Sequence, residues 1–237
     1  MHSPQSAWLD YLRSASHYNQ WIFSQIQPHL KGKVLEIGCG GGNFTELIAQ
    51  GCPQLVAIDI NPDFVAQTKA RLKYCSNTTV LAADATTLEW SQSFDAIILL
   101  DVLEHIADDV ALLQRLSQWL TPNGVLILKT PAIQQLYNRL DKAVGHHRRY
   151  TQETLQQALT DAAFVNSRIW PFNLAGIPGW WLNGAVLGKK VPSRQQVGWF
   201  DSCVPMFRAM ESKLGCPIGL SLFAVGYSPH SRFPKSL

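Results

Sequence analysis

The fold is decided by one stretch near the start of the chain, Lys33-Val34-Leu35-Glu36-Ile37-Gly38-Cys39-Gly40-Gly41-Gly42-Asn43-Phe44. Its first half is rich in aliphatic residues, as a buried strand is, and it stops at closely spaced glycines. Apolar residues then recur at helical spacing (Phe44, Leu47, Ile48) up to Gly51. The pattern predicts a strand, a glycine turn and a helix. Because glycine has no Cβ, such a turn can adopt positive φ and lets a ligand lie against backbone N–H groups.

An acid at the end of the next strand-like run indicates the kind of ligand. Asp59 follows the glycines by about 20 residues, where a carboxylate can accept both hydroxyls of a ribose. A nucleoside-bearing ligand is expected, and a tight turn without any ligand is the alternative. The dinucleotide fingerprint needs a small residue where this chain has Asn43, which weakens an NAD interpretation.

The segment from Val34 to Gly42 resembles motif I of the class I S-adenosylmethionine-dependent methyltransferases, and further motifs of that family follow in order. Asp59 matches the ribose-binding acid, Asp84-Ala85 matches the adenine-contacting pair, and residues 120–124 resemble the turn before the fifth strand. The resemblance implies S-adenosylmethionine as cofactor and S-adenosylhomocysteine as product. It also implies a set of cofactor-binding residues: Glu36, Gly38, Cys39, Gly40, Gly42, Asp59, Ile60, Asp84, Ala85, Asp101 and Val102.

Strands that alternate with helices predict the fold class, an α/β, Rossmann-like, doubly wound sheet. We expect seven strands, mostly parallel, with an antiparallel last strand. The chain is predicted to be one methyltransferase domain, residues 1–237. Within it we expect N-terminal helices (1–30), a cofactor-binding core (31–171), an aromatic-rich insertion (172–219), and a final strand with a frayed tail (220–237).

Composition excludes several classes of protein. A net charge of +3 without a dense basic stripe does not favour nucleic-acid binding. Five cysteines without a CxxC pair suggest neither a disulfide framework nor a zinc site, which fits a reducing cytoplasm. The N-terminus lacks the pattern of a signal peptide, and no apolar run approaches the about 20 residues of a membrane span. A cytoplasmic protein, in peripheral contact with a membrane at most, is expected; the oligomeric state is left open.

Local signals mark the ends of elements. Asn61 followed by Pro62 predicts a helix start, and Asp108 predicts another. The fifth strand is predicted at residues 125–128, after a turn at residues 122–124, and the sixth near residues 165–170.

Candidates for acid–base chemistry lie in residues 145–151, between the fifth strand and the next helix. His146 or His147 could take a proton from a hydroxyl, Tyr150 is a weaker candidate, and the neighbouring arginines could hold an anionic group. Quinone-type O-methyltransferases carry a similar segment. The alternative is a loop anchor, with Arg148 or Arg149 paired to an acid and Thr151 capping a helix over residues 152–163.

The run Asp101-Val102-Leu103-Glu104-His105 resembles the variant of the fourth motif found in small-molecule and quinone O-methyltransferases. Glu104 and His105 could order the loop beneath the methyl donor. Alternatively, Asp101, Glu104 and His105 could ligate a divalent ion. The structural role is favoured, and no metal is expected.

Aromatic residues are concentrated at both ends of the chain. The N-terminal helices either pack on the sheet edge or help to cover the cofactor, with Tyr18 and Trp21 the residues of interest. Residues 172–217 carry aromatics among glycines and prolines without a regular pattern, beside Lys189-Lys190. They are expected to be a lid over the acceptor, a contact with a lipid surface, or a self-packed cover.

The sequence therefore predicts methyl transfer to an oxygen of a small or lipid-like acceptor. A nucleic-acid acceptor is not expected. An NAD-linked oxidoreductase on the same fold is one alternative. A non-catalytic S-adenosylmethionine-binding or membrane-associated module is another.

Overall fold

The computed structural model describes residues 10–189 and 191–230. The parts of the sequence-based expectations that concern residues 1–9, Lys190 and residues 231–237 lie outside the described residues. The strands are β1 (Lys33–Ile37), β2 (Gln54–Asp59), β3 (Thr78–Ala82), β4 (Phe94–Leu100), β5 (Leu120–Pro131), β6 (Val165–Phe172) and β7 (Ser221–Tyr227).

These strands form one seven-stranded sheet in the order β3-β2-β1-β4-β5-β7-β6. The strands β1 to β5 pair in parallel, with Val34 beside both Leu55 and Ala96. β7 runs antiparallel to β5 and to β6, so that six strands share one direction. The predicted Rossmann-like sheet with an antiparallel last strand is confirmed. Its order reverses beside β1, which places a crevice at the carboxyl ends of β1 and β4.

Helices cover both faces of the sheet. They are α1 (Ser16–Ile26), α2 (Thr45–Gly51), α3 (Pro62–Arg71), α4 (Asp109–Trp119), α5 (Arg139–Val144), α6 (Gln152–Asp161), α7 (Gly176–Trp181) and α8 (Arg194–Leu214). Residues 10–14 are also helical, and a π-helix (Leu182–Val186) continues α7. Three predicted caps are present: Asn61 on α3, Asp108 on α4 and Thr151 on α6.

Alternate residues along the central strands fill two separate cores. Leu35 and Ile97 pack on one face with the inner side of α4 and α6. Val34 and Ile98 pack on the other face with α1 and α2. Strands buried on both faces explain the nearly continuous apolar runs of the sequence.

The fifth strand is longer than predicted. It extends from Leu120 to Pro131, and the expected turn is an irregularity inside it rather than its beginning. Phe94 pairs with Leu120 and Ala96 already pairs with Val125, so the residues between are looped out around Asn123, whose φ is +67°. The extension also makes Lys129 part of the strand.

The segment 172–219 is mostly helical, which corrects the prediction of an irregular excursion. Glycines and prolines suggested breaks, yet Phe200, Val204 and Phe207 are spaced by four and three and turn one face of α8 toward the core that contains α1. Pro205 lies within α8, on its exposed side.

The two ends of the chain are joined by a buried acid on α8. Asp201 accepts hydrogen bonds from the backbone N–H groups of His17 (3.4 Å) and Tyr18 (2.8 Å), in the first turn of α1. It therefore serves as the cap that α1 lacks locally. Among the described residues, no helix is both long and apolar enough to cross a bilayer.

Candidate functional site

A large cavity opens at the carboxyl ends of β1, β2 and β4. Its volume is about 1190 Å³, above the range of about 300–1,000 Å³ usual for a single small-molecule site. It is lined by the glycine turn, by the ends of β2, β4 and β5, and by parts of α1, α7 and α8. There is room for a nucleoside-bearing donor and a second molecule.

The glycine turn needs its glycines. Gly38, Gly40 and Gly42 have φ values of +77°, +51° and +81°. A Cβ on Gly38 would lie 2.4 Å from Cγ2 of Val102, at the end of β4. The turn therefore packs its backbone closely against the loop after β4. Because these positions carry no side chains, a donor can also approach the backbone closely.

The two acids predicted to contact the donor both line the cavity. Asp59 accepts hydrogen bonds from the N–H groups of Gly40 and Asn61, each at 2.8 Å. A carboxylate has about four acceptor positions, so two remain for the hydroxyls of a ribose. Asp84 accepts from the N–H group of Thr86 at 2.8 Å, and this bond fixes the loop after β3.

Glu36 lies below the turn and is 3% exposed. Its Oε2 atom has no hydrogen-bond partner among the described residues. Burial raises the pKa of this carboxyl group from 4.5 to about 7. The group is well placed to receive a donor's cationic end, which would supply the missing partner.

An ion pair between a buried lysine and a partly exposed acid, which the sequence did not reveal, lies between β4 and β5. Lys129, 4% exposed, places its Nζ atom 2.7 Å from Oδ1 of Asp101. Burial is the largest effect and lowers the pKa of Lys129, but Asp101, Tyr18 and Glu104 together outweigh it and raise the pKa above its ordinary value. Tyr18 of α1 also lines the cavity, and its hydroxyl accepts a hydrogen bond from Asn173 at 3.3 Å. The only sequence signal for Lys129 was a charge at the end of an apolar run.

The loop before α6 is held by a second buried acid, Asp141. Its Oδ1 atom lies 2.9 Å from Nδ1 of His146 and 2.8 Å from Nε of Arg149. Burial raises the pKa of Asp141, yet the bonds from His146 and Arg149 prevail and lower it. The guanidinium of Arg149 also stacks on Trp180 at 4.7 Å. Asp141 was missed because a capping residue of α5 gives no sign of such partners.

His146 faces a cluster that continues the predicted Glu104-His105 motif. Its Nε2 atom lies 3.6 Å from Oε1 of Glu104, and its ring centroid lies 4.7 Å from that of His105. Glu104 is fully buried, and burial raises the pKa of its carboxyl group well above 4.5. Burial also lowers the pKa of His105. We call Glu104, His105 and His146 the histidine cluster.

The structure brings most of the predicted site residues to the cavity. Ten of the predicted cofactor residues line it: Glu36, Gly38, Cys39, Gly40, Asp59, Ile60, Asp84, Ala85, Asp101 and Val102. Gly42 does not line it and instead packs against Thr68. Of the acid–base candidates, His146 lines the cavity.

Two acid–base candidates are placed elsewhere, which corrects their prediction. His147 is exposed and does not line the cavity. Tyr150 is 2% exposed and donates a 2.6 Å hydrogen bond to Asp109, and burial raises its pKa. Arg148 pairs with the same acid at 2.8 Å. This part of the segment is the loop anchor that was the alternative.

Comparison with known proteins agrees with this geometry. The family model described as "Methyltransferase domain" matches residues 11–168. Ubiquinone biosynthesis O-methyltransferase of Azorhizobium caulinodans is 37% identical over 109 residues, 43% of this chain and 41% of the relative. Nodulation protein S of Sinorhizobium fredii is 34% identical over 97 residues, 40% of this chain and 45% of the relative. Each match spans less than half of the relative's length.

Solved structures agree in fold. Phosphoethanolamine N-methyltransferase 2 of Haemonchus contortus, solved with S-adenosyl-L-methionine, aligns with a TM-score of 0.63 at 18% identity, over 90% of this chain and 52% of that one. An S-adenosylmethionine-dependent methyltransferase of Mesorhizobium loti gives 0.63 at 17% identity, over 88% and 97%. NodS of Bradyrhizobium japonicum, an N-methyltransferase solved with S-adenosyl-L-homocysteine, gives 0.53 at 20% identity, over 84% and 78%. By its domain match and its fold, this chain belongs to the class I S-adenosylmethionine-dependent methyltransferases.

Proposed function

We propose that this protein transfers a methyl group from S-adenosylmethionine to an oxygen of a small, lipid-like acceptor. The proposal rests on one observation: the carboxylate of Asp59 lies beside the glycine turn. This arrangement suits the nucleoside of the donor. The sulfonium of the donor supplies the methyl group and leaves as a neutral thioether. The protein's own part is to align the acceptor and to lower the cost of removing its proton. An NAD-linked reaction is not favoured, because Asn43 stands where the dinucleotide fingerprint needs a small residue and because the matching family model is a methyltransferase domain.

The choice of oxygen rests on Lys129. The named relatives include both an O-methyltransferase and an N-methyltransferase, so likeness alone does not select the atom. An ammonium has three N–H donors, and Asp101 can take two of them. The remaining donor is available to an acceptor oxygen at the cavity floor. A protonated amine would offer the ammonium no acceptor and would be repelled by it.

The lipid-like character rests on the cavity's outer wall. Trp180 and Pro178 of α7 line it, together with Phe200 and Phe207 of α8. Binding of a small polar acceptor would not require exposed apolar side chains. Five such residues nevertheless surround this wall: Trp181, Leu182, Val186, Leu187 and Trp199. Lys189 and Arg194 stand beside them. We propose that these exposed residues, called the apolar rim below, touch an anionic lipid surface from which the acceptor enters.

The donor assignment is tested by calorimetry with S-adenosylhomocysteine. Asp59→Ala should weaken binding by about 1.5–3 kcal/mol, because it removes charge-assisted bonds to the ribose and a backbone bond that shapes the turn. Asp63→Ala is the matched control: that acid is exposed on α3, and the affinity should not change. NAD should not bind the wild type. If Asp59→Ala bound S-adenosylhomocysteine as tightly as Asp63→Ala does, the donor assignment would be wrong.

The acceptor is sought in a lipid extract of cells. The extract is incubated with the protein and a donor that carries a deuterated methyl group, and mass spectrometry identifies the labelled product. Label on a hydroxyl oxygen of an apolar molecule is expected. Label on nitrogen, or only on water-soluble products, would contradict the proposed acceptor while leaving the donor assignment intact.

A further inference from the structure

The histidine cluster contains a carboxyl group whose oxygens have no hydrogen-bond partner among the described residues. Glu104 is fully buried, and neither of its oxygens has a hydrogen-bond partner within residues 10–189 and 191–230. Leaving a buried polar group unpaired costs free energy, and a buried charge costs more. One ligand atom from each of Glu104, His105 and His146 lies within 4.8 Å of the others. A cation between them would remove the cost.

The two imidazoles are oriented by bonds on their far sides. Nδ1 of His146 lies 2.9 Å from Oδ1 of Asp141, and Nδ1 of His105 lies 3.2 Å from the carbonyl oxygen of Gly145. A carbonyl oxygen or carboxylate only accepts, so each Nδ1 carries the hydrogen in the neutral ring and leaves the lone pair on Nε2. Carboxylate and carbonyl partners of this kind fix the tautomer of metal-binding histidines.

We propose that Glu104, His105 and His146 bind one divalent first-row transition-metal ion. One carboxylate and two imidazoles suit manganese to zinc better than magnesium or calcium, which prefer oxygen ligands. Atoms bound to one ion at about 2.0–2.2 Å are at most about 4.4 Å apart, so the cluster must close by a few tenths of an ångström. The 3.6 Å between Nε2 of His146 and Oε1 of Glu104 already meets this limit. The sequence favoured a structural role for Glu104, but such a role would give its oxygens partners.

The ion would have open positions on the side of the acceptor. His105 and His146 line the cavity, whereas Glu104 lies behind them. Three protein ligands leave at least one position for a water molecule or an acceptor oxygen. A bound ion would lower the pKa of an acceptor hydroxyl, so that its proton would pass to solvent more readily; the oxygen would then attack the donor's methyl group, and the sulfur would leave as a neutral thioether. This step rests on the proposed function; the metal site does not.

The test uses tag-free protein stripped with a chelator and titrated with Co²⁺, followed by competition with Zn²⁺. The wild type should bind one ion and develop visible absorption bands of a Co²⁺ site with nitrogen ligands. His105→Asn removes a ligand and should weaken binding by more than the roughly 10-fold to 100-fold that the loss of a ligand's hydrogen-bond partner costs. His147→Asn is the matched control, an exposed neighbour outside the cluster, and should bind as the wild type does.

Two further variants guard against loss of the fold. Glu104→Gln keeps the side chain's shape and should abolish the Co²⁺ bands, while Asp141→Asn should weaken them by releasing His146. S-adenosylhomocysteine affinity, measured on the same samples, reports on the donor site independently. Absence of Co²⁺ bands in a wild type that binds S-adenosylhomocysteine, or equal losses in His105→Asn and His147→Asn, would overturn the metal site. Co²⁺ binding without S-adenosylhomocysteine binding would instead overturn the proposed function alone.

Discussion

The donor half and the acceptor half of the cavity are built by different means. The donor half consists of the glycine turn and the ends of β1 to β3, and backbone geometry shapes it. The acceptor half consists of the end of β5, the loop before α6, and the segment 172–219, and side chains from distant parts of the chain shape it. Asp101 and Val102, after β4, lie where the two halves meet. Asp59 and Gly40, on the donor side, are 19 residues apart, whereas Tyr18 and Asn173, on the acceptor side, are 155 apart. The comparison predicts that substitutions in the donor half reduce stability and donor binding, whereas substitutions in the acceptor half reduce turnover of the acceptor.

A change to the turn should cost the most. Gly38→Ala adds a Cβ at positive φ, costing about 1–2 kcal/mol, and forces it against Val102, costing about 1–3 kcal/mol. The free energy of unfolding should fall by about 2–5 kcal/mol in urea titrations, with loss of S-adenosylhomocysteine binding. Gly198→Ala is the control, since nothing lies within 4 Å of the added atom and α8 favours alanine. Equal stability of the two variants would show that the turn tolerates side chains.

A change at the cavity floor should separate donor from acceptor. Lys129→Met removes the donor offered to the acceptor and leaves Asp101 without its cation. We expect kcat/KM for the acceptor to fall about 100-fold, or about 2.7 kcal/mol, while S-adenosylhomocysteine affinity stays within about twofold. Lys69→Met, an exposed lysine on α3, should change neither value. If Lys129→Met weakened donor binding as strongly as turnover, the division of the cavity into two halves would be wrong.

These two halves also differ in what the sequence could predict. The glycine turn, the end of β2 at Asp59 and the caps at Asn61 and Asp108 depend on neighbouring residues, and their predictions were confirmed. Lys129 and Asp141 are functional candidates only because tertiary packing places them beside Asp101 and His146. No pattern of neighbouring residues in the sequence indicates these tertiary contacts.

Helix ends show the same limit. Asn61 caps α3 from the adjacent position, which the sequence reveals. Asp201 caps α1 from 183 residues beyond Tyr18, which the sequence does not reveal. The helical nature of residues 194–214 was missed for a related reason: Pro205 and Gly198 indicated breaks, whereas packing of one apolar face on α1 stabilises the helix.

Glu36, on the donor side, gives a prediction about pH. Its folded-state pKa, about 7, is above its ordinary value of 4.5. The folded protein therefore binds this proton more tightly than the unfolded chain, and stability falls as pH rises from about 4.5 through about 7. The fall is at most about 3.5 kcal/mol, from about 1.4 kcal/mol per pKa unit. Glu36→Gln should lack it.

The measurement is urea unfolding of both proteins at pH 5 and pH 8. Other titrating groups are present in both proteins, so their contributions cancel in the difference. Glu36→Gln should gain stability relative to the wild type on going to pH 8. A difference that stays constant with pH would mean that Glu36 has a partner in solution.

The smallest effect on stability is expected at the apolar rim. Trp180 and Trp181 are adjacent, but Trp180 stacks on Arg149 and lines the cavity, whereas Trp181 is 53% exposed. Trp181→Ser should therefore change the free energy of unfolding by no more than about 0.5 kcal/mol. If the rim meets lipid, the same change should weaken binding to phosphatidylglycerol vesicles roughly fivefold to tenfold, about 1–1.4 kcal/mol. Cosedimentation measures this binding.

Tyr74→Ser is the control, because Tyr74 is 86% exposed but follows α3, outside the cavity. If both variants bind vesicles equally, the rim is a cover for the acceptor half and not a lipid contact.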